Sequence, residues 1–274
     1  MRYREIVPPA SLRPLVHRFW VLQGEAERET EFQRAMPDGR PEIIFNLADR
    51  FESRGPDGPE RQPGTLLVGP TTRAIELRPT GRVDLFGLRL QPGAAPALLG
   101  LSGLELVNRT ADLADLQPGW TRDLAERLTE CGRTAERVEI VEHHLARVAG
   151  QAERDPRLEA GIGVVLRSRG GVGIGRIADL VGLSPRHLSR LCRERVGLGP
   201  KLLGRLTRFQ RVLRELEQGT RPRWAAMAQR HGYFDQAHLG RDFRTFAGLS
   251  PGRYLAAKRE VTRHFIDGEE GQAV

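Results

Sequence analysis

The feature that most constrains the fold of this chain is an internal duplication between Gly173 and Tyr254. When the two copies are aligned, the same residue types recur in the same order. Between the turn glycine and the histidine, the second copy is one residue longer than the first. The matched residues are Ile177 and Met227, Ala178 and Ala228, Gly182 and Gly232, His187-Leu188 and His238-Leu239, Arg190 and Arg241, Gly197-Leu198 and Gly248-Leu249, and Pro200 and Pro251. Recurrence in a fixed order is typical of a duplicated supersecondary unit.

Each copy has the pattern of two helices joined by a sharp turn. In the first copy, apolar residues recur at helical spacing up to Gly182, which can adopt a positive φ and end a helix. Ser184-Pro185 then supplies an N-cap and a proline at the first position of a new helix. The apolar positions are Ile174, Ile177, Ala178, Val181, Leu188, Leu191 and Cys192, then Trp224, Met227, Ala228, Leu239, Phe243 and Phe246. The sequence therefore predicts tandem helix-turn-helix units.

The second helix of each unit has an outward face that could read DNA. Arginine and glutamine can make bidentate contacts to guanine and adenine edges, which is the chemistry of readout in the major groove. The alternative is an ordinary solvated polar face, and its occurrence twice in tandem disfavours that interpretation. The outward residues are Arg186, Ser189 and Arg190, then Gln236, Ala237, Gly240 and Arg241.

Two runs of this sequence resemble the DNA-binding domain of AraC/XylS-type transcription regulators. GRIADLVGLSPRHLSRLCRERVGLGP resembles its first half and MAQRHGYFDQAHLGRDFRTFAGLSPGRY its second half, so the resemblance covers about residues 157–260. The resemblance implies seven helices, with one long helix joining the units and both recognition helices on one DNA face. It also places the base-contacting positions on the seven outward residues named above.

The sequence departs from the family pattern at three positions. Cys192 stands where the family usually has a large aromatic residue, so we expect a looser core in the first unit. Ala237 and Gly240 offer a base edge little beyond contact with a thymine methyl group. Readout by the second unit is therefore expected to depend on Gln236 and Arg241.

Charge divides the chain into two unequal halves. Residues 1–150 contain 20 arginines and 22 acidic residues, whereas residues 151–274 contain 23 basic and 13 acidic residues. A basic half joined to a nearly neutral half is typical of a polyanion-binding domain attached to a domain with another role. We therefore predict a sensor domain at 1–150 and a DNA-binding domain at 157–262.

The first hundred residues have the pattern of short strands separated by glycine and proline. The predicted strands centre on the runs 19–22, 42–45, 65–68 and 83–86. The segments MPDGRPEIIFNL, LVGP and GLRLQPGAAPALLG resemble the β-rich, cupin-like N-terminal domain of one AraC subgroup. The expected fold class is α+β, with a β-rich barrel or sandwich and following helices before an all-α domain.

Three enzymatic interpretations fail on the residues present. A metal-dependent cupin needs a cluster of histidine and glutamate ligands, and no histidine lies between His17 and His143. The run from Gly173 to Ala178 fits a dinucleotide fingerprint but lacks the surrounding βαβ pattern. A repair methyltransferase needs an activated cysteine thiolate, and Cys192 lies on a buried stripe. We expect no enzyme, no cofactor and no metal.

Some residues of the N-terminal half could be interpreted either as part of a ligand site or as ordinary turn and core residues. Asp38, Arg40 and Glu42 could form a polar site, although capping of a turn is favoured. If a small ligand binds, the interior of the barrel is the expected place. Trp20, Phe45 and Phe86 are interpreted as core rather than as a ligand cage.

Helical spacing follows the strands and also joins the two units. Val138, Val141, Leu145 and Val148 form the seam of an amphipathic helix that packs on the barrel or on a second protomer. A polar linker is predicted at 150–156. From 200 to 218 one apolar seam predicts a helix roughly 25 Å long. Its off-seam arginines are expected to be mostly solvated; they are Arg205, Arg208, Arg211 and Arg214.

The sequence thus predicts a DNA-binding transcription regulator. Its two isolated cysteines, together with no signal peptide and no membrane span, favour the cytoplasm. Double-stranded DNA is the expected partner, and an unidentified small-molecule effector, RNA polymerase and a homodimer stay open. The alternative is a protein-interaction module whose basic helical domain binds DNA non-specifically.

Overall fold

The computed structural model describes residues 1–26, 31–55, 57–149, 154–218 and 222–257. Its N-terminal half is built from antiparallel strands in two sheets, which confirms the β-rich prediction. One sheet has six strands in the order β1-β2-β9-β4-β7-β10, and the other has four in the order β3-β8-β5-β6. The strands are β1 Arg2–Ile6, β2 Val16–Glu25, β3 Gln33–Ala35, β4 Glu42–Asn46, β5 Glu52–Gly55, β6 Gly58–Arg61, β7 Thr65–Val68, β8 Ile75–Arg78, β9 Arg82–Leu90 and β10 Thr110–Asp112.

The four predicted strands form the centre of the larger sheet. They are β2, β9, β4 and β7, and each pairs with the next in antiparallel register. Trp20, Phe45 and Phe86 are buried, as expected of core residues. Trp20 lies opposite Gly87, where a Cβ atom would come within 2.0 Å of the indole ring. The glycine therefore makes room for the ring.

Five helices follow β9 in the N-terminal half, and the short strand β10 lies between the second and the third of them. They are α1 Ala94–Leu99, α2 Gly103–Leu106, α3 Leu113–Leu116, α4 Pro118–Glu130 and α5 Thr134–Ala149. Val141 and Leu145 of α5 belong to the same buried cluster as Phe86, so the predicted seam packs on the sheet and not on a second protomer. Arg137 adds a buried contact, since its Nη1 and Nη2 each donate to Asp84 of β9 at 2.8 Å.

The described residues of the C-terminal half form seven helices, the number that the resemblance implied. They are α6 Pro156–Arg167, α7 Ile174–Val181, α8 Pro185–Val196, α9 Pro200–Glu217, α10 Trp224–Arg230, α11 Gln236–Ala247 and α12 Pro251–Ala257. The 18 residues of α9 correspond to about 27 Å of helix. Its buried stripe is wider than predicted because Leu203 and Val212 join Leu206, Phe209 and Leu213 in the core.

The two halves of the chain are in direct contact. The backbones of Gly103 and Gly197 meet so closely that a Cβ on Gly103 would lie 2.5 Å from the Gly197 nitrogen. The Ala74 amide donates to the Phe246 carbonyl at 2.7 Å, next to the end of α11. The domain limits 1–150 and 157–262 stay predictions, and the proposed linker at 150–153 and the end at 258–262 lie outside the described residues.

Candidate nucleic-acid interface

The first helix-turn-helix unit is α7, a turn and α8. Gly182 ends α7 in the left-handed conformation at φ 66°. Ser184 caps α8, because the His187 amide donates to its Oγ at 3.2 Å, and Pro185 occupies the first turn. The turn chemistry predicted from the sequence is therefore the chemistry that positions α8.

The second unit repeats this arrangement with α10 and α11. Gly232 has a φ of 73°, and the Asp235 carboxylate accepts the His238 amide at 2.6 Å as the cap of α11. The extra residue of the second turn is Phe234, since the Tyr233 amide donates to the Ala228 carbonyl just as the Leu183 amide donates to the Ala178 carbonyl. Phe234 is 89% exposed, directly before α11.

The inward faces of both recognition helices are buried in one core. Leu188, Cys192 and Val196 of α8 share this core with Leu239 and Phe243 of α11. Burial raises the pKa of the Cys192 thiol to about 12, so it is held in the neutral form. A neutral, buried thiol does not suit methyl transfer, as expected.

The outward face of α8 exposes two arginines. Arg186 is exposed, and so is Arg190, whose Nη1 donates to the Glu194 carboxylate at 2.9 Å. An exposed pair of this kind within one helix is weak, so Arg190 can leave it for another acceptor. Ser189 is half-buried and its Oγ donates to the Pro185 carbonyl at 2.8 Å. Its hydroxyl therefore already has an acceptor in its own helix.

Two domain models match the chain. Residues 177–257 match a helix-turn-helix domain, and residues 4–112 match a domain of unknown function, DUF6597. Residues 177–257 are a helix-turn-helix domain of the AraC type. Domains of this type occur in DNA-binding transcription regulators. No curated protein matches the chain.

Several solved structures are similar to the chain at low sequence identity. ToxT from Vibrio cholerae aligns at 10% identity and a TM-score of 0.48, over 87% of this chain and 98% of that one. Unsaturated fatty acid-bound ToxT aligns at 12% and 0.49, over 89% and 96%. An AraC-type regulator from Chromobacterium violaceum aligns at 23% and 0.34, over 38% and 94%.

The outward face of α11 corrects one prediction for the AraC-type domain. Gln236, Ala237 and Arg241 are exposed as expected, but Gly240 is buried. It lies in a groove of about 520 Å³ between α11, Trp224 of α10 and the start of α12. A Cβ there would meet only the Arg244 side chain, at 3.9 Å, so this position faces open space although the glycine backbone itself is buried.

The arginines of α9 correct a second prediction. Arg205 is only partly solvated, because its Nε and Nη2 donate to Asp242 of α11 at 3.1 and 2.7 Å. Arg208 donates to the Gly232 carbonyl at 2.9 Å and lies over the Tyr233 ring. Both fix the second unit of the AraC-type domain on α9. Asp242 was not predicted as a residue of this site. The signal available in the sequence was the position of its carboxylate within the apolar stripe of α11.

Other predicted sites have ordinary structural roles. Asp38 Oδ1 accepts the Arg40 amide at 2.8 Å, so Asp38 caps its turn as favoured. Glu42 pairs with Arg89 at 2.7 Å. Among the described residues, no group of three histidine, cysteine or acidic side chains could hold a metal ion. No helix in those residues is both long and apolar enough to cross a membrane.

Proposed function

We propose that this chain is a sequence-specific regulator that reads double-stranded DNA with α8 and α11. One observation carries the proposal: two capped helices, built from a duplicated unit, have buried stripes in one core and exposed arginine or glutamine on their outer faces. The base-contacting set would be Arg186, Ser189, Arg190, Gln236, Ala237 and Arg241, with Gly240 allowing close approach. Phosphate contacts would supply most of the affinity.

The length of α9 supports binding to one face of the duplex. At about 27 Å, it separates the two units by a distance that suits successive turns of the major groove, roughly 34 Å apart. The contacts of Arg205 and Arg208 hold the second unit on this helix. We therefore propose that α8 and α11 enter adjacent major-groove segments.

We propose further that the N-terminal half controls DNA binding through a small molecule or a protein partner. Two contacts support this: Gly103 against Gly197 at the end of α8, and Ala74 with Phe246 at the end of α11. A change in the N-terminal half would therefore reach both units. The compartment that holds the DNA is the proposed place of action. A homodimer and contact with RNA polymerase stay predictions, to be tested by sedimentation and in vitro transcription.

The experiment begins with selection of bound duplexes from a random pool. Gel shifts then compare the selected and a scrambled duplex. Arg186→Ala, Arg190→Ala and Arg241→Ala should each cost about 1–3 kcal/mol on the selected duplex, with little change on the scrambled one, because base contacts carry sequence information. The exposed Arg122 of α4 supplies the control Arg122→Ala, which should change neither affinity.

Two outcomes would contradict the proposal. Equal losses on both duplexes would mean that these arginines contact phosphates only. Failure to enrich any motif would favour the alternative, an interaction module that binds DNA non-specifically.

A further inference from the structure

A cavity of about 690 Å³ lies between the sheets and the AraC-type domain. Residues of β1, β2, β4 and β9 and the turn before β4 form one side. The end of α6 and the middle of α9 form the other. Its volume is within the range of small-molecule sites, which often lie between domains. The space between the two sheets, the expected ligand place, holds a buried apolar cluster of Trp20, Leu22, Phe51, Val83 and Leu85.

The lining of this interdomain cavity is strongly basic. Seven guanidinium groups face three carboxylates. The three carboxylates gather around one arginine, since Arg89 contacts Glu5 at 2.9 Å, Glu42 at 2.7 Å and Asp38 at 3.3 Å. The arginines are Arg18, Arg40, Arg89, Arg167, Arg169, Arg211 and Arg214. The acidic groups are therefore used within the sheet, and the lining keeps a net formal charge of +4.

Five of these arginines have no carboxylate oxygen within 4.0 Å in the described part of the chain. They come from both sides of the cavity and are Arg40, Arg167, Arg169, Arg211 and Arg214. Arg40 is the most enclosed of them, and its Nη1 donates at 3.0 Å to a neutral acceptor, the Gln91 amide oxygen. Partial burial of a cation that has no carboxylate in contact is unfavourable, so a bound anion would stabilise Arg40.

The electrostatics connect the two sides of the cavity. Burial, opposed by Asp38, lowers the pKa of Arg40 to about 10, and Arg214 is among the cations that lower it further. Burial and then Arg40 lower the pKa of His17 to about 2, again with a contribution from Arg214. His17 is therefore neutral at pH 7 and can donate or accept a hydrogen bond. The positive charge of Arg214 on α9 thus lowers the pKa of two groups on the sheet side of the cavity.

We propose that the interdomain cavity binds a small anion with at least two negative charges, a phosphate ester or a di- or tricarboxylate, between Arg40 and Arg214. Guanidinium groups bind both kinds of anion through paired N–H donors. The anion would join the sheet half to α9, the helix that connects both DNA-reading units. The proposal deepens the effector control proposed above, yet the binding of the anion can be measured without DNA.

The contacts around the cavity explain how the anion would reach the DNA-reading units. The Gln210 Nε2 of α9 donates to the Pro37 carbonyl at 2.9 Å, and Gly39 packs against Leu198, Leu203 and Leu206. The turn that carries Arg40 therefore already packs on α9. An anion held by Arg40 and Arg214 would strengthen these packing contacts and hold α9 against the sheets.

The test uses the full chain, with inorganic pyrophosphate and citrate as probes and sodium chloride at matched ionic strength as reference. We expect either probe to raise the melting temperature and to bind in calorimetry. Arg214→Gln should weaken binding at least about tenfold, because a charge-assisted contact is lost. Arg40→Gln should do the same, and Arg214 is the safer position because it is exposed. A preference for pyrophosphate would indicate a phosphate ester, and for citrate a carboxylate.

Two control variants test whether the anion binds in the interdomain cavity rather than at other arginines. Arg122→Gln removes an exposed charge that does not line the cavity and should leave binding unchanged, as should Arg186→Gln on the proposed DNA-reading face. The proposal is overturned if both probes bind no better than chloride, if Arg214→Gln binds normally, or if Arg186→Gln abolishes binding. If the chain binds the anion but enriches no DNA motif, the proposed regulator function fails and the anion site stands. If the chain enriches a motif but does not bind the anion, the anion site fails and the regulator function stands.

Discussion

The ion pair between Arg205 and Asp242 gives the sharpest test of how the second helix-turn-helix unit is held on α9. Asp242 is 1% exposed, whereas the Arg205 side chain is 30% exposed. Both donors of Arg205 reach the same carboxylate oxygen, at 3.1 and 2.7 Å. The guanidinium also lies 5.1 Å from the centre of the Phe246 ring. The two partners therefore differ in their access to water, and loss of either should not cost the same.

The unequal burial of Arg205 and Asp242 determines how much each substitution should lower the free energy of unfolding. Arg205→Met keeps the apolar stem over Phe246 but leaves a buried carboxylate without its cation, which should cost about 2–3 kcal/mol of the free energy of unfolding. Asp242→Asn leaves a guanidinium that water can reach, so its cost should be about 1 kcal/mol. In the double variant no buried charge is left, and its cost should be smaller than the sum by about 1–2 kcal/mol.

Urea unfolding, followed by tryptophan fluorescence and far-UV circular dichroism, measures these differences. Trp224 reports on the site because its ring packs edge-on against Phe243, 6.3 Å away. Arg122→Met, at an exposed position, is the control for loss of an arginine. Equal costs for the two single variants, or strict additivity in the double variant, would refute the assignment of Asp242 as a buried charge that depends on Arg205.

Two further predictions concern the packing of each half. In Gly87→Ala the new methyl group would lie 2.0 Å from the Trp20 ring, so the sheet must shift and the free energy of unfolding should fall by about 1–3 kcal/mol, as a thermal melt would show. Gly119→Ala meets nothing within 4 Å and is the control; an equal loss there would remove the steric explanation. For the thiols, iodoacetamide at pH 8 should label the native chain at Cys131 and spare Cys192, whose pKa burial raises to about 12, while unfolding exposes both. Rapid labelling of Cys192 in the native chain, seen by mass spectrometry, would contradict its burial.

Sequence patterns predicted the elements whose signals are local. Ser184-Pro185 and Gly182 lie within a few residues of the helices that they start and stop, so α7 and α8 could be recognised directly. The four central strands were found because buried strands are apolar along their length. The outer strand RYREI has no such run, since it is only half-buried at the sheet edge, and it was missed.

Residues far apart in the sequence form the parts of the site that were not predicted. Arg205 and Asp242 are 37 positions apart, Arg89 and Glu5 are 84 apart, and Gln210 and Pro37 are 173 apart. No periodicity connects such residues, so the off-seam arginines could not be distinguished from solvated ones.

By itself, the sequence determined the duplicated unit, its caps and its long connecting helix, because spacing along the chain specifies which residues share a helix face. Only the tertiary structure decided which arginines face solvent, which are held by carboxylates and which surround a cavity. It also decided that Gly240 lines a groove with Trp224 and the start of α12, since that depends on how α11 packs against its neighbours. The physical reason is that the burial of a side chain and the identity of its ion-pair partner depend on how helices and strands pack together. This packing brings residues that are distant in the sequence into contact.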